Sequence, residues 1–164
     1  MKALLLWDRA GDYHVARYKA LGVLIGKENT YIADLGATDK LYGWKNVLTE
    51  DPNYVLLSDK PLDKPDFSAR IKNFQEIVRN AGITHVGIAG YGREEYIFIM
   101  YWCKKQGIKV ILFAESWYPS NLVVDRLKGW LIRRITDACF VSGILAALHF
   151  SKRLKYTSPY LDVV

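Results

Sequence analysis

The sequence predicts an α/β fold with a mainly parallel sheet and helices on both of its faces. Three short apolar runs are typical of buried strands, and each ends in small or polar residues, where a parallel sheet opens a ligand crevice; they are Thr84–Ala89, Lys109–Phe113 and Ala138–Val141. Segments with helical spacing separate these runs, and such alternation favours right-handed parallel crossovers. At 164 residues the chain is long enough for one well-buried domain and too short for two of ordinary size.

The first elements follow from apolar runs and from the residues that stop them. Lys2–Trp7 is a strand-like run, and the polar and glycine residues after it mark a turn. Helical spacing of apolar residues then predicts a helix that stops at Gly26, and Thr30–Leu35 is a second strand. Because Gly36–Pro65 contains three prolines, we expect a long connection with one short strand at Tyr54–Leu57.

Four more helices are predicted from the same helical spacing of apolar residues. Gly82 closes the first of them before the strand at Thr84. No internal repeat or low-complexity segment divides the chain, so we expect one continuous domain over residues 1–164. The four predicted helices are Asp66–Asn80, Glu94–Gln106, Leu122–Ile135 and Ile144–Leu154.

The composition is that of a globular protein, with 51% hydrophobic and 24% charged residues. No run approaches the roughly 20 apolar residues that span a bilayer, and Met1–Trp7 is too short for a signal peptide, so a cytoplasmic protein is expected. Cys103 and Cys139 have neither a second cysteine pair nor a nearby histidine cluster. We therefore expect reduced core cysteines and no metal site.

The net charge of +6 is concentrated towards the carboxyl end of the chain. Between Leu122 and Lys155 there are seven cations and two aspartates, so the remainder is close to neutral. Such an excess would suit an acidic partner. Nucleic acid is not expected, because the sequence has no helix-turn-helix, zinc-ligand or aromatic RNP pattern.

The helix predicted at Leu122–Ile135 combines part of this charge with apolar residues. A buried core helix with a solvated basic face is the more common arrangement for such a pattern. The alternative is weak peripheral attachment to an anionic membrane. The apolar residues are Leu122, Val123, Leu127, Trp130, Leu131 and Ile135, and the cations are Arg126, Lys128, Arg133 and Arg134.

The loop Asp8–His14 opens the first long helix, whose N–H groups and positive dipole end could receive a phosphate. Its single glycine matches neither the GxGxxG pattern nor a P-loop, and an ordinary turn with Asp12 as the helix cap explains it at least as well. His14 and Arg17 lie one turn apart and could reach the same anion, although a solvated helix face is the commoner explanation. The candidate residues here are Asp8, Arg9, Gly11, His14 and Arg17.

Two more polar loops follow consecutive strands. The first offers glycines for close backbone approach and a tyrosine with a stacking face and a hydroxyl, and the second offers a carboxylate, a hydroxyl and an indole N–H. Either loop alone is explained equally well as a turn or a helix start. Their joint position at carboxyl strand ends favours a crevice for a polar ligand. The candidate residues are Gly90, Tyr91, Glu94, Glu115, Ser116 and Trp117.

At these residues the chain resembles a known family. The runs GIAGYGREEYIFIMYWCKKQGIKVILFAESW (87–117) and RLKGWLIRRITDACFVSG (126–143) are similar to the amino-terminal half of a GT-B-fold glycosyltransferase related to the large retaining group. YHVARYKAL (13–21) resembles the start of the first helix in that group. The likeness covers most of the chain except Gly36–Pro65, and the closing SPYLDVV resembles the segment that leads into a second Rossmann-like domain.

The resemblance implies a Rossmann-like domain that shapes the acceptor side of an interdomain cleft. A second domain, absent from this sequence, would hold most of the nucleotide-sugar, either in a longer chain or as a separate subunit. The three candidate loops would then position the acceptor hydroxyl and the donor diphosphate, with no cofactor in this chain, and the chain alone would fold but not transfer sugar. Two departures weaken the catalytic assignment: Ala10-Gly11 stands where many relatives have two glycines, and Ala89 where many have a histidine.

A different class of function also fits the predicted fold. A non-catalytic, flavodoxin-like binding or interaction domain would show the same alternation of strands and helices, since a fold does not fix a function. A phospho-receiver fits less well, because no cluster of aspartates at one strand end is paired with a lysine at a later one.

Overall fold

The computed structural model describes residues 1–38, 48, 50–114, 120–157 and 161–163. The chain divides into two compact units, Met1–Val86 and Gly87–Val164. Helices alternate with strands of a parallel sheet in the described part of each unit, which confirms the predicted α/β, Rossmann-like class.

The first unit contains β1 (Ala3–Trp7), α1 (Asp12–Ile25), β2 (Thr30–Asp34), β3 (Tyr54–Leu56) and α2 (Phe67–Ala81). Its strands lie in the order β3-β2-β1 and are paired in parallel. Leu5 lies opposite Ile32, and Asp34 lies opposite Leu56. β4 (His85–Ala89) begins in this unit, where the His85 amide donates to the Lys2 carbonyl at 3.1 Å.

The core of the first unit is formed around β1, which is buried along its whole length. A parallel strand that is covered on both faces needs apolar residues at consecutive positions, which explains the run Leu4–Leu6. α2 contributes Ile71, Phe74 and Val78, whose spacing places them on one helix face, and all three are buried.

Side chains fix the proline-rich connection that leads into α2. Arg70 is buried, and its Nη2 donates to the carbonyls of Pro61 at 3.0 Å and Lys64 at 3.1 Å. Asp66 accepts from the Ser58 hydroxyl at 2.5 Å and pairs with the Lys60 ammonium at 2.8 Å. The expected short strand is confirmed as β3, whereas residues 39–47 and 49 lie outside the described part of the chain.

The second unit contains the end of β4, then α3 (Glu94–Lys105), β5 (Lys109–Ala114), α4 (Leu122–Ile135), β6 (Ala138–Val141), α5 (Ile144–Leu148) and β7 (Leu161–Val163). Its strands lie in the order β4-β5-β6-β7. β6 pairs in parallel with both β5 and β7, and Leu112 lies opposite Cys139. A π-helical turn, His149–Arg153, follows α5 directly.

The predicted elements agree with the structure to within one residue at each end, with one exception, and the structure adds a 3-10 helical turn at Lys27–Asn29 and one strand. The helix predicted over Ile144–Leu154 is α5 followed by the π-helical turn. β7 was not predicted as a strand. Cys103 and Cys139 are buried and not disulfide-bonded, as predicted, and burial raises the pKa of each thiol to about 12.

The helix predicted at Leu122–Ile135 was expected to bury its apolar residues, but α4 buries a different side of the helix. It turns Asp125 and Gly129 into the protein, together with Ile132 and Ile135. Gly129 is required there because a Cβ atom would collide with the backbone carbonyl of Leu154. The core interpretation is therefore wrong for four of the six apolar residues, which are exposed: Leu122, Val123, Leu127 and Trp130.

Candidate functional site

Asp34, the last residue of β2, organises the loop that follows β1. Its side chain is 1% exposed. Oδ1 accepts from the Ala10 amide at 2.8 Å, and Oδ2 accepts from the Tyr54 hydroxyl at 3.1 Å and lies 3.4 Å from the guanidinium of Arg9. Burial raises the pKa of Asp34, while the Ala10 amide, the Arg9 charge and the Tyr54 hydroxyl act in the opposite direction. These contacts hold the first loop in one conformation.

Arg9 is the buried cation of this loop, with 8% of its surface exposed. One terminal nitrogen faces Asp34, and its Nε is buried and has no hydrogen-bond partner. A buried donor without a partner is costly, so it is either a store of strain or a group that a ligand satisfies. Arg9 is accordingly the predicted residue of this loop best placed to bind an anion.

His14 is buried in α1, so the expected solvated helix face is wrong for this residue. Its Nδ1 accepts from the Gly11 amide at 2.9 Å. The imidazole stacks on Trp7 at 4.1 Å between ring centroids and contacts Tyr13 at 3.7 Å. His14 therefore helps to fix the first turn of the helix.

Of the other predicted residues of this region, Gly11 is buried, whereas Asp8 and Arg17 are partly exposed. Gly11 is the N-cap of α1, and Asp12, the expected cap, is instead its first helical residue and is exposed. Asp8 is half-buried. Arg17 is half-buried too, and its guanidinium lies 5.2 Å from the centre of the Tyr13 ring, which is cation–π distance.

The place of Asp34 bears on which nucleotides this unit can bind. In dinucleotide-binding Rossmann domains, an acidic residue about 20 positions after the glycine-rich turn binds the ribose hydroxyls. Asp34 follows Gly11 at a similar distance along the chain, but its oxygens are buried and engaged by Ala10, Tyr54 and Arg9. Its carboxylate is therefore a structural group of the loop.

In the second unit, Gly90 and Tyr91 follow the carboxyl end of β4. Gly90 has a φ of +82°, which glycine adopts without strain, and its amide donates to the Phe113 carbonyl at 2.8 Å. Tyr91 is partly buried, with its ring 6.2 Å from that of Phe150. Burial raises the pKa of Tyr91, and the charge of Asp125 adds to this, so its hydroxyl stays protonated at neutral pH. Glu94 is exposed at the start of α3.

A polar network lies beside Tyr91 that the sequence analysis did not identify. Asp125 is fully buried in α4 and accepts from the Ser120 hydroxyl at 2.5 Å and from Arg153 Nε at 2.7 Å. Arg153 also donates to the Ser120 carbonyl at 2.7 Å. The Ser120 hydrogen bond, followed by Arg153, lowers the pKa of Asp125 to about 2 despite its burial.

His149 begins the π-helical turn that supplies Arg153. It is 5% exposed, and its Nδ1 has no hydrogen-bond partner. Burial lowers the pKa of His149. The nearby charge of Asp125 raises this pKa, whereas the charges of Arg153 and Lys128 lower it further. The imidazole is therefore neutral at pH 7. A π-helical turn of this kind often marks a functional position, but no local sequence pattern identifies one.

The structure brings predicted residues together in the first unit, whereas in the second unit Tyr91 lies with residues that were not predicted as site residues. Arg9, Gly11 and His14 lie together around the first turn of α1, and Tyr91 lies with Asp125 and Phe150. Glu115, Ser116 and Trp117 lie outside the described residues. The helix that follows them is capped by Asn121, whose Oδ1 accepts from the Val123 amide at 2.8 Å.

The described residues contain neither a metal-binding cluster nor a membrane-spanning helix. Across the ranges from 1–38 to 161–163, no three His, Cys, Asp or Glu side chains form a cluster that could hold a metal ion. None of the helices in these residues combines the length and the apolar composition of a membrane span.

In comparisons with known proteins, no family model, curated protein or solved structure matches this chain.

Proposed function

We propose that this chain is the acceptor-side domain of a GT-B-fold glycosyltransferase, which transfers a sugar from a nucleotide-sugar when joined to a donor-binding domain. The observation that carries the proposal is the first loop, where Arg9 and Asp34 form a buried pair and both carboxylate oxygens of Asp34 are hydrogen-bonded within the protein. This arrangement disfavours a dinucleotide cofactor. The rigid polar loop suits instead the positioning of a reacting partner, as the resemblance of the sequence implies.

The described residues suit binding and orientation better than proton transfer. Arg9 offers a buried positive charge and an N–H donor, Nε, that has no hydrogen-bond partner. Tyr91 offers a hydroxyl that remains protonated. Charge and hydrogen-bond donors held in fixed positions can stabilise a departing diphosphate or orient an acceptor hydroxyl. Glu115 is proposed as a further contact to a sugar hydroxyl, and no residue is assigned as the general base.

The proposed partner is a donor-binding domain, in the same longer chain or in a separate subunit. In such a transfer one domain fixes the donor and the other fixes the acceptor. Losing half of that arrangement removes the proximity contribution, which can reach roughly 7–11 kcal/mol. The chain alone is therefore expected to show no sugar transfer. We propose that the enzyme acts in the cytoplasm.

A non-catalytic binding or interaction domain is the second candidate. The observation that favours it is that Asp34 and Asp125 are both engaged in fixed hydrogen bonds within the protein. A general base needs a carboxylate that can reach its substrate. A binding scaffold has no such requirement.

Reconstitution tests the proposal. The chain, joined to the donor domain encoded downstream of or beside it, is assayed for release of nucleoside diphosphate from a panel of nucleotide-sugars. Activity is expected only in the assembly. Tyr91→Phe and Glu115→Gln should lower it, whereas Glu76→Gln, on the exposed surface of α2, should not.

Three results would decide against the proposal. Robust sugar transfer by the purified 164-residue chain would contradict the proposal that this chain supplies only the acceptor side of the enzyme. An active assembly that is unaffected by both Tyr91→Phe and Glu115→Gln would show that these residues are not part of the site, and an inactive assembly that still binds a ligand at Tyr91 would favour the binding domain.

A further inference from the structure

The outward surface of α4 is apolar, which is unusual for a helix at the surface of a globular unit. Val123 is 68% exposed, Leu127 is 62% exposed and Trp130 is 51% exposed, whereas Asp125 on the opposite side is fully buried. Single exposed apolar residues are common, but a contiguous set on one helix marks an interaction surface.

Specific contacts on the inner side of α4 set this orientation. Gly129 lets the helix approach the backbone of Leu154 more closely than any other residue would allow. The buried Asp125 pairs with Arg153 at 2.7 Å and accepts from Ser120. Rotating the helix to bury Leu127 would expel Asp125 from this network. The exposure is therefore a fixed property of the packed unit.

Cations border the apolar surface. A groove of about 560 Å³ is lined by Val123, Leu127 and Trp130 and by three positive side chains, Arg126, Arg133 and Lys155. A fourth cation, Arg134, stacks on the Trp130 ring at 4.0 Å from its centre. The groove thus combines an apolar floor with positive charge, as a phospholipid headgroup and the start of its acyl chain require.

We propose that this surface, defined by Val123, Leu127, Trp130 and the four cations, docks on a bilayer of anionic phospholipid. With 14 residues, α4 is about 21 Å long, too short to span a hydrocarbon core of about 30 Å. It would lie in the plane of the interface, with its apolar side chains among the headgroups and its cations on the lipid phosphates. The inference is independent of the proposed transferase activity, since it concerns only the surface of the second unit.

The charge pattern favours a bilayer over the other acidic surfaces. A nucleic-acid backbone would meet the cations but leave the leucine, valine and tryptophan in water or against phosphate. An anionic bilayer satisfies both parts of the surface, and tryptophan is enriched at this level of membranes. Each near-surface cation is expected to raise partitioning about fivefold on an acidic leaflet.

Vesicle sedimentation of the purified chain tests this assignment. Binding to vesicles of phosphatidylcholine with phosphatidylglycerol should exceed binding to phosphatidylcholine alone and should fall as salt is added. Arg126→Gln and Arg133→Gln should each weaken binding about fivefold, and the double variant about thirtyfold. Leu127→Ser should weaken it without a change of charge. Lys72→Gln, an exposed cation on α2, is the matched control and should bind as the unaltered chain does.

Trp130 provides a second readout, because its fluorescence should shift to the blue on anionic vesicles, and Trp130→Phe should remove that shift. Unfolding midpoints confirm that each variant is folded. Equal sedimentation with neutral and anionic vesicles would overturn the proposal, as would unaltered binding by the arginine variants. Tighter binding to RNA, or a dimer that Leu127→Ser dissolves, would assign the surface to another partner.

Discussion

The close contact between α4 and the backbone of Leu154 makes Gly129→Ala a severe test of how the second unit is packed. In an exposed helix, replacing glycine by alanine stabilises by about 1 kcal/mol. At Gly129 the new Cβ would overlap a backbone carbonyl, which cannot turn aside as a flexible side chain can. α4 would have to move outward, and this would strain the contact between the buried Asp125 and the half-buried Arg153.

The expected cost follows from these opposing contributions. Overpacking costs typically 1–3 kcal/mol, and complete loss of a fully buried ion pair costs about 3–5 kcal/mol, so partial loss of this pair, whose arginine is 35% exposed, costs about 2 kcal/mol. With partial loss of the pair and the helix-propensity gain subtracted, Gly129→Ala should destabilise by about 2–4 kcal/mol. For a urea m-value of about 2 kcal/mol/M, the unfolding midpoint should fall by about 1–2 M.

Urea unfolding followed by far-UV circular dichroism measures this change. Gly22→Ala is the matched control, because Gly22 lies in α1 and its new Cβ would meet Lys27 and Thr30 only at ordinary contact distances of 3.7 and 3.9 Å. That variant should be unchanged or up to about 1 kcal/mol more stable. If Gly129→Ala were as stable as the unaltered chain while Gly22→Ala behaved as expected, the packing argument for α4 would be refuted.

Two further predictions concern buried titratable groups. Because Ser120 and Arg153 lower the pKa of Asp125 from 3.8 to about 2, Asp125 contributes stability that is present above pH 3.8 and lost as the pH falls through 2. Asp125→Asn should therefore be less stable than the unaltered chain at pH 6, and the difference between their urea midpoints should shrink between pH 4 and pH 2; a difference independent of pH would contradict this. Cys103 and Cys139, with thiol pKa values of about 12, should not react with a thiol-disulfide reagent at pH 8 until the chain is unfolded, and rapid labelling of both in the folded protein would disprove their burial.

Local pattern in the sequence was sufficient for the order and bounds of most elements. An apolar run such as Leu4–Leu6, or the spacing of Ile71, Phe74 and Val78, reports burial through neighbours a few residues away. Turn and stop signals act over the same short range. The α/β class was therefore predictable without knowledge of distant contacts.

The sequence was less informative about the roles of the predicted site residues. The loop after β1 was recognisable as a strand-end loop, but the burial of His14 and the pairing of Arg9 depend on Trp7 and Asp34, which come from other elements. Whether a charged residue is a ligand contact or a structural group is set by such partners. The sequence identifies candidate residues, and their neighbours in the folded protein determine the role of each.

The sequence by itself determined the alternation of strands and helices, the consecutive apolar core of β1 and the position of polar loops at strand ends. Only the tertiary structure decided that α4 turns Asp125 inward and Leu127 outward, because an amphipathic pattern gives the faces of a helix but not the surface against which each face packs. Here Arg153, 28 residues further along the chain, supplies the charge that makes burial of Asp125 favourable. A helical periodicity of 3.6 residues carries no information about a partner at that distance.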